Sequence, residues 1–101
     1  MPRPRKRRRC RSYDGDRVFK PRSIPMGRLE TVRLELSELE AMRLCDREMM
    51  EQVVAGRRMG ISRPTVQRLL YSGRKKVVDA LIEGKAIQIS FPRYVTYEKG
   101  R

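Results

Sequence analysis

Met59-Gly60-Ile61-Ser62-Arg63-Pro64-Thr65-Val66-Gln67-Arg68-Leu69-Leu70 reads as a helix that stops, turns and starts again. Gly60 stands where a helix end needs a residue that enters the left-handed region without a Cβ penalty. Ser62 suits an N-cap, and Pro64 falls in the first turn after it, where a missing N–H costs nothing. Val66, Leu69, Leu70, Gly73, Val77 and Leu81 then recur at helical spacing and predict one buried stripe. Ahead of the turn, Ala55, Gly56 and Met59 give the preceding helix a small-residue contact and an apolar end. Two helices joined by a short glycine turn, with a small residue where they cross, predict a helix-turn-helix.

That motif carries chemistry. Pointing away from Val66 and Leu69 are Arg63, Thr65, Gln67, Arg68 and, one turn on, Tyr71, with Ser62 beside them. Arginine binds the two major-groove acceptors of guanine in a bidentate way, glutamine does the same with adenine, and threonine contacts a thymine methyl. A recognition helix presents its N-terminal residues to base edges, and these are the N-terminal residues. Ser62, Arg63, Thr65, Gln67, Arg68 and Tyr71 are therefore the expected base contacts. The competing reading is an ordinary helical hairpin with a solvated basic face.

Charge favours the first reading. Across 101 residues the chain carries 25 Lys+Arg against 12 Asp+Glu, a net charge of +13, which calls for a polyanionic partner. Residues 1–28 hold eleven basic and two acidic groups, whereas residues 29–61 hold five basic and seven acidic. The absence of histidine removes Ser-His-Asp and Cys-His catalysis, and two cysteines without histidine cannot build a four-ligand zinc site within one chain. No enzyme activity, metal, cofactor or small-molecule ligand is expected. No stretch approaches a membrane span and the basic N-terminus lacks an apolar h-region, so the expected location is the cytoplasm, with the nucleoid.

Seven of the first eleven residues are basic and two are proline, which predicts a disordered arm that follows phosphates or enters a minor groove. Backbone contacts are expected from Arg3, Arg5, Lys6, Arg7, Arg8 and Arg9 in the arm. Arg74, Lys75 and Lys76, far along the second helix, are expected to add to them. Asp14-Gly15-Asp16 suggests a turn, and Phe19 and Ile24 suggest anchors that pin an extended segment to the body. Val32, Leu34 and Leu36 alternate with Arg33 and Glu35, predicting a strand over 31–36. Ser37-Glu38-Leu39-Glu40 resembles a capping box that opens a first helix with a stripe of Leu39, Met42, Cys45 and Met49. The second helix, about Glu51 to Met59, lacks a good N-cap. The third extends to Glu83 with Gly84 closing it, Ser72-Gly73 marking a weak point, and Val78 and Ile82 outside the main stripe. Ala86 to Phe91 alternates again and predicts a strand that pairs either with 31–36 or with a partner subunit.

Several of these segments, taken in order, resemble one family. They are Met1 to Lys6, Phe19-Lys20-Pro21 with Ile24-Pro25-Met26, Leu36 to Asp46, Met59 to Thr65, and Arg74 to Val77 leading to Leu81 to Ala86. Over roughly residues 1–90 the chain is similar to a family of small uncharacterised prokaryotic proteins predicted to bind DNA, with a helix-turn-helix like region four of sigma factors. The resemblance implies a helix-turn-helix fold and a DNA-binding or regulatory role, and supplies no target or ligand. Where relatives carry a cysteine in the arm this chain has Arg7, and where they carry a better N-cap it has Glu51.

The expected architecture is mainly α. It has a three-helix helix-turn-helix core of winged-helix or sigma region-four type, a minor two-stranded β element and a flexible basic N-terminal arm. Residues 1–28 form the arm and connection, 29–91 the helix-turn-helix domain and 92–101 a tail. The expected function is sequence-specific binding of double-stranded DNA as a homodimeric transcriptional regulator. A sequence-indifferent binder of RNA or chromosome and a docking module on a transcription complex are the rivals.

Overall fold

The computed structural model describes residues 8–11, 17–90 and 95–98. Its sheet grows from the two alternating apolar stretches. β3 (Thr31–Glu35) and β4 (Ala86–Ser90) run parallel, with Val32 opposite Ile87 and Leu34 opposite Ile89, and Leu34 and Ile89 are buried. Parallel strands need a crossover connection, and here it is the whole helical segment. β2 (Val18–Phe19) adds antiparallel to the other edge of β4, giving the order β2-β4-β3. The sheet therefore has three strands instead of the expected two. Phe19 is held by this backbone pairing and not by burial, since its ring and Ile24 stay exposed.

α1 (Leu36–Met42) starts one residue after β3, with Glu35 as N-cap and Leu36 already helical. The cap sits two residues ahead of the expected Ser37. Glu38 Oε1 accepts the Glu35 N–H at 2.8 Å, while the Ser37 hydroxyl accepts from Arg8 Nη1 at 3.0 Å. A long-range donor has recruited the serine, so the carboxylate one turn in closes the helix end. After Met42 the helix widens into a π-turn (Arg43–Arg47), where the Glu48 N–H donates to the Arg43 carbonyl at 2.9 Å. Met49 then turns away at φ 61° with its side chain 79% exposed, so it leaves the apolar stripe assigned to it. Leu36, Ala41 and Leu44 fill the core, with Leu39, Met42 and Cys45 packed around them.

α2 (Gln52–Met59) buries Ala55, Gly56 and Met59, and α3 (Arg63–Glu83) buries Val66, Leu69, Leu70, Gly73 and Ala80. Each large side chain fully buried here, such as Leu44, Met59 and Leu70, contributes about 1.5–3 kcal/mol of transfer free energy. α3 is unbroken through Ser72 and Gly73. Gly73 serves instead as the crossing point with α1, because a Cβ there would lie 3.1 Å from Glu38 Cβ and 3.2 Å from Met42 Cε. The expected stripe fails at Leu81, which is 74% exposed, while Ala80 is buried. A straight helix drifts by roughly 20° per heptad, which carries the contact line from Val66 through Gly73 to Ala80. Val78 and Ile82 are exposed as well. Gly84, at φ 68°, ends α3 and turns the chain into β4.

β1 (Arg8–Arg11) pairs in parallel with β5 (Val95–Glu98), Arg8 opposite Val95 and Arg11 opposite Glu98. Part of the expected disordered arm is therefore a strand, and Cys10 is fully buried in the core cluster. Charge density does not prevent this because the arginines beside Cys10 find acceptors: Arg8 takes Ser37 Oγ and Arg9 takes the Arg57 carbonyl. The Asp14-Gly15-Asp16 turn and residues 1–7 and 91–94 lie outside the described residues. Among the described residues no helix is long and apolar enough to cross a membrane.

Candidate nucleic-acid interface

The turn between α2 and α3 is built from residues whose backbone needs are local. Gly60 adopts φ 72°, ψ 32°, its N–H donates to Arg57 O, and the Ile61 N–H donates to Gly56 O at 2.9 Å. Gly56 has no room for a side chain: a Cβ would stand 2.7 Å from the Ile61 carbonyl oxygen. Ser62 caps α3, its Oγ accepting the Thr65 N–H at 3.4 Å, and Pro64 occupies the first turn. These contacts fix the direction in which α3 leaves the turn.

Burial of Val66, Leu69 and Leu70 leaves the opposite side of α3 to solvent. Arg63, Gln67 and Arg68 are exposed there, and Tyr71 is 73% exposed. Thr65 is half-buried and belongs to a small network: its Oγ1 lies 3.0 Å from Ser62 Oγ and accepts from Arg68 Nη2 at 3.2 Å. Ser62 and Thr65 thus position Arg68, while Arg63, Gln67 and Tyr71 follow one another at i, i+4 along the exposed row. Of the six candidate base readers, the structure leaves Ser62, Arg63, Gln67, Arg68 and Tyr71 exposed and half-buries Thr65.

Two hollows flank this ridge. One, of about 1100 Å³, runs past Gln67, Arg68, Tyr71 and Arg74 and is closed on one side by Gln52, the first residue of α2. Gln52 Oε1 is buried there with no hydrogen-bond partner among the described residues. The other hollow, of about 500 Å³, lies beside Ser62 and Thr65 and is walled by Arg8, Arg57 and Gly60. Sequence reasoning missed Gln52, although its place as the opening residue of the preceding helix was a usable signal.

The candidate phosphate contacts have different surroundings. Arg8 and Arg9 are tied to Ser37 and Arg57 as described, and Arg3, Arg5, Lys6 and Arg7 lie outside the described residues. Arg74 makes a two-point pair with Asp46, at 2.6 Å from Nη2 and 3.1 Å from Nε, which raises the guanidinium pKa. Lys75 pairs with Asp79 at 2.8 Å, which raises the ammonium pKa and lowers that of the carboxyl. Lys76 reaches Glu38 Oε1 at 2.8 Å, and Ser72 donates to the other oxygen of that carboxylate. Glu38 is 3% exposed. Lys76 therefore supports the α1–α3 crossing and is not a free phosphate contact. Burial, with Asp46 next to it, pushes the Cys45 thiol above its ordinary pKa. Among the described residues no three Cys, Asp or Glu side chains converge as metal ligands.

Fold and site together define a small, mostly helical protein that carries a helix–glycine turn–helix unit on a small sheet and exposes one basic helix face. The chain belongs to the family described as Protein of unknown function DUF134, which matches residues 1–96. A UPF0251 protein of Moorella thermoacetica is 51% identical over 89 residues, 88% of this chain and 60% of that protein. One from Dehalococcoides mccartyi is also 51% identical over 89 residues, covering 76% of its own length. One from Thermoanaerobacter sp. strain X514 is 46% identical over 99 residues, 98% of this chain and 88% of its own. The chain thus spans less than two thirds of the Moorella relative and more of the other two. No solved structure matches.

Proposed function

We propose that this chain binds double-stranded DNA through α2, the Gly60 turn and α3, as a helix-turn-helix transcriptional regulator of winged-helix or sigma region-four type. The observation that carries the reading is the exposed row Arg63, Gln67, Tyr71, with Arg68 beside it, on the N-terminal half of a helix whose other side is buried. Arginine and glutamine in that position match guanine and adenine in the major groove. The hollow closed by Gln52 suits a strand of the phosphate backbone running across the start of α2. Residues 1–7, with Arg3, Arg5, Lys6 and Arg7, supply sequence-independent attraction to the phosphate backbone. One such helix reads few base pairs, so the chain acts as a homodimer on half-sites about 34 Å apart. Action on DNA places it in the cytoplasm, with the nucleoid.

The test is selection of bound fragments from random and genomic DNA at physiological salt, with the full chain and with a variant lacking residues 1–7. Enrichment of a palindromic site that Arg63→Ala and Gln67→Ala abolish is the expected result. Tight binding without enrichment, collapsing as salt rises, replaces this reading with a sequence-indifferent nucleic-acid binder. Absence of binding leaves a protein-docking surface.

A further inference from the structure

Arg74, Lys75 and Lys76 are consecutive, yet each holds a different carboxylate of its own chain. The Lys76–Glu38 pair is sealed, with the carboxylate 3% exposed, hydrogen-bonded also to the Glu35 N–H and to Ser72. The other two pairs stand in solvent. Arg74 and Asp46 are 51% and 43% exposed, and Lys75 and Asp79 are 63% and 47% exposed. Arg74 and Lys75 also line the same hollow as Gln67, Arg68 and Tyr71, one to two turns further along α3.

From this arrangement we infer that Asp46 and Asp79 are built-in counter-anions of the α3 face, occupying Arg74 and Lys75 until a backbone phosphate displaces them. The inference rests on the DNA-binding reading and adds to it the control of affinity. A carboxylate and a phosphate offer the same pair of oxygens to a guanidinium, so the two-point Asp46 contact mimics the one a phosphate makes. Exposed pairs are weak enough to exchange, being screened by water and salt on both sides. The buried Glu38 pair is not exchangeable, because freeing Lys76 leaves a desolvated carboxylate behind. Three adjacent cations therefore divide into one that holds the fold and two that are kept occupied until DNA arrives. Displacement makes each phosphate contact an exchange of partners, which lowers affinity for all DNA alike and leaves the base-reading row to supply what tight binding needs.

The experiment measures fluorescence anisotropy of a labelled 30-base-pair duplex of random sequence with the full chain and three variants: Asp46→Asn, Arg74→Ala and the double variant. Asp46→Asn tightens binding about two- to fivefold, the worth of one exposed pair. Arg74→Ala weakens binding and lowers the slope of log affinity against log salt by about 1. In the Arg74→Ala background Asp46→Asn has no further effect, because there is no cation to release. Asp79→Asn, whose pair lies within α3 and bridges no other element, tightens binding in the same sense and covers the case of an Asp46 variant that loosens the α1–α3 contact. The inference is overturned if both asparagine variants leave affinity unchanged or weaken it. It is equally overturned if Asp46→Asn tightens binding as much without Arg74, which is a general effect of net charge. If the unaltered chain binds no duplex, the DNA-binding reading itself fails and takes the inference with it.

Discussion

The guanidinium of Arg9 donates from Nη2 to the carbonyl oxygen of Arg57 at 3.0 Å, tying the N-terminal strand to the last turn of α2. The same group lies against Gly60, 3.4 Å from where a Cβ would stand. One arginine from the segment read as a free arm thus serves as a C-terminal cap for the helix that precedes the turn, where a cation suits both the orphan carbonyls and the helix dipole.

Loss of that cap has a modest cost because Arg9 is exposed. Arg9→Ala is expected to destabilise the fold by about 0.5–1 kcal/mol, a fall of roughly 4–8 °C in Tm per kcal/mol for a domain of this size. Truncation after Ser90 removes β5, the partner of β1 in the described sheet, and lowers Tm further. Thermal melts followed by circular dichroism check both, and a tail deletion with unchanged Tm contradicts the pairing.

The turn is intolerant at Gly56 for steric reasons and at Gly60 for conformational ones. Gly56→Ala drives a methyl against the Ile61 carbonyl and is expected to cost about 2–3 kcal/mol through forced backbone movement. Gly60→Ala meets no crowding backbone but holds a Cβ residue at φ 72°, at about 1–2 kcal/mol. Gly60→Asn, which enters the left-handed region more easily, should lose less than Gly60→Ala. Urea titration ranks the three, and an order with Asn below Ala counts against the backbone explanation.

Glu38 joins three partners from β3 and α3 at one carboxylate. Glu38→Gln keeps the shape and removes the charge, leaving Lys76 beside a neutral amide. Because Lys76 is about one-third exposed, the loss is expected at roughly 2–3 kcal/mol, below the range for a fully buried pair. Lys76→Met should cost more than Glu38→Gln, since it leaves a desolvated carboxylate without its cation, whereas Glu38→Gln leaves a lysine that can turn to solvent. The reverse order in denaturant titrations sinks this assignment.

Cys45 bears on pH. Burial first, then the Asp46 charge, holds its thiol protonated beyond the ordinary range, against the smaller opposing pull of Arg74. The folded state keeps the proton that the unfolded state releases, so stability should fall as pH rises past the ordinary thiol pKa of about 8.5 and level off above the folded value. Native Cys45 should also react slowly with a thiol reagent at neutral pH, and Cys10, being fully buried, more slowly still. Counting two reactive thiols only after denaturation is the check, and rapid native labelling of Cys45 contradicts it.

What could be read from the chain follows from the range of the interaction responsible. Gly60, Ser62, Pro64 and Gly84 mark their turns because a helix end is satisfied by groups within four residues, and the structure puts each where the residue type indicated. The exposed row on α3 was legible for the same reason, since Val66, Leu69 and Leu70 fix the buried side. The cap at Glu35 was not, because Arg8 comes from 29 residues away to engage Ser37. Nor were the partners of Arg74 and Lys76, whose carboxylates lie on α1 and its π-turn, 28 and 38 residues distant. Pairing of β1 with β5 joins segments that each show too short a pattern to announce a strand.

That pairing sets an order of events for the chain as it is made. Arg8 to Arg11 emerge early and Val95 to Glu98 late. At ribosomal rates of roughly 5–20 residues per second, the first strand waits on the order of 4–17 s for its mate. The helices and the turn between α2 and α3 rest on local contacts and can form during that interval, whereas the closing strand pair is the most distant pairing among the described residues and the slowest in entropic terms. A nascent chain therefore holds a largely assembled α3 face before Val95 to Glu98 arrive to pair with the strand that carries Cys10.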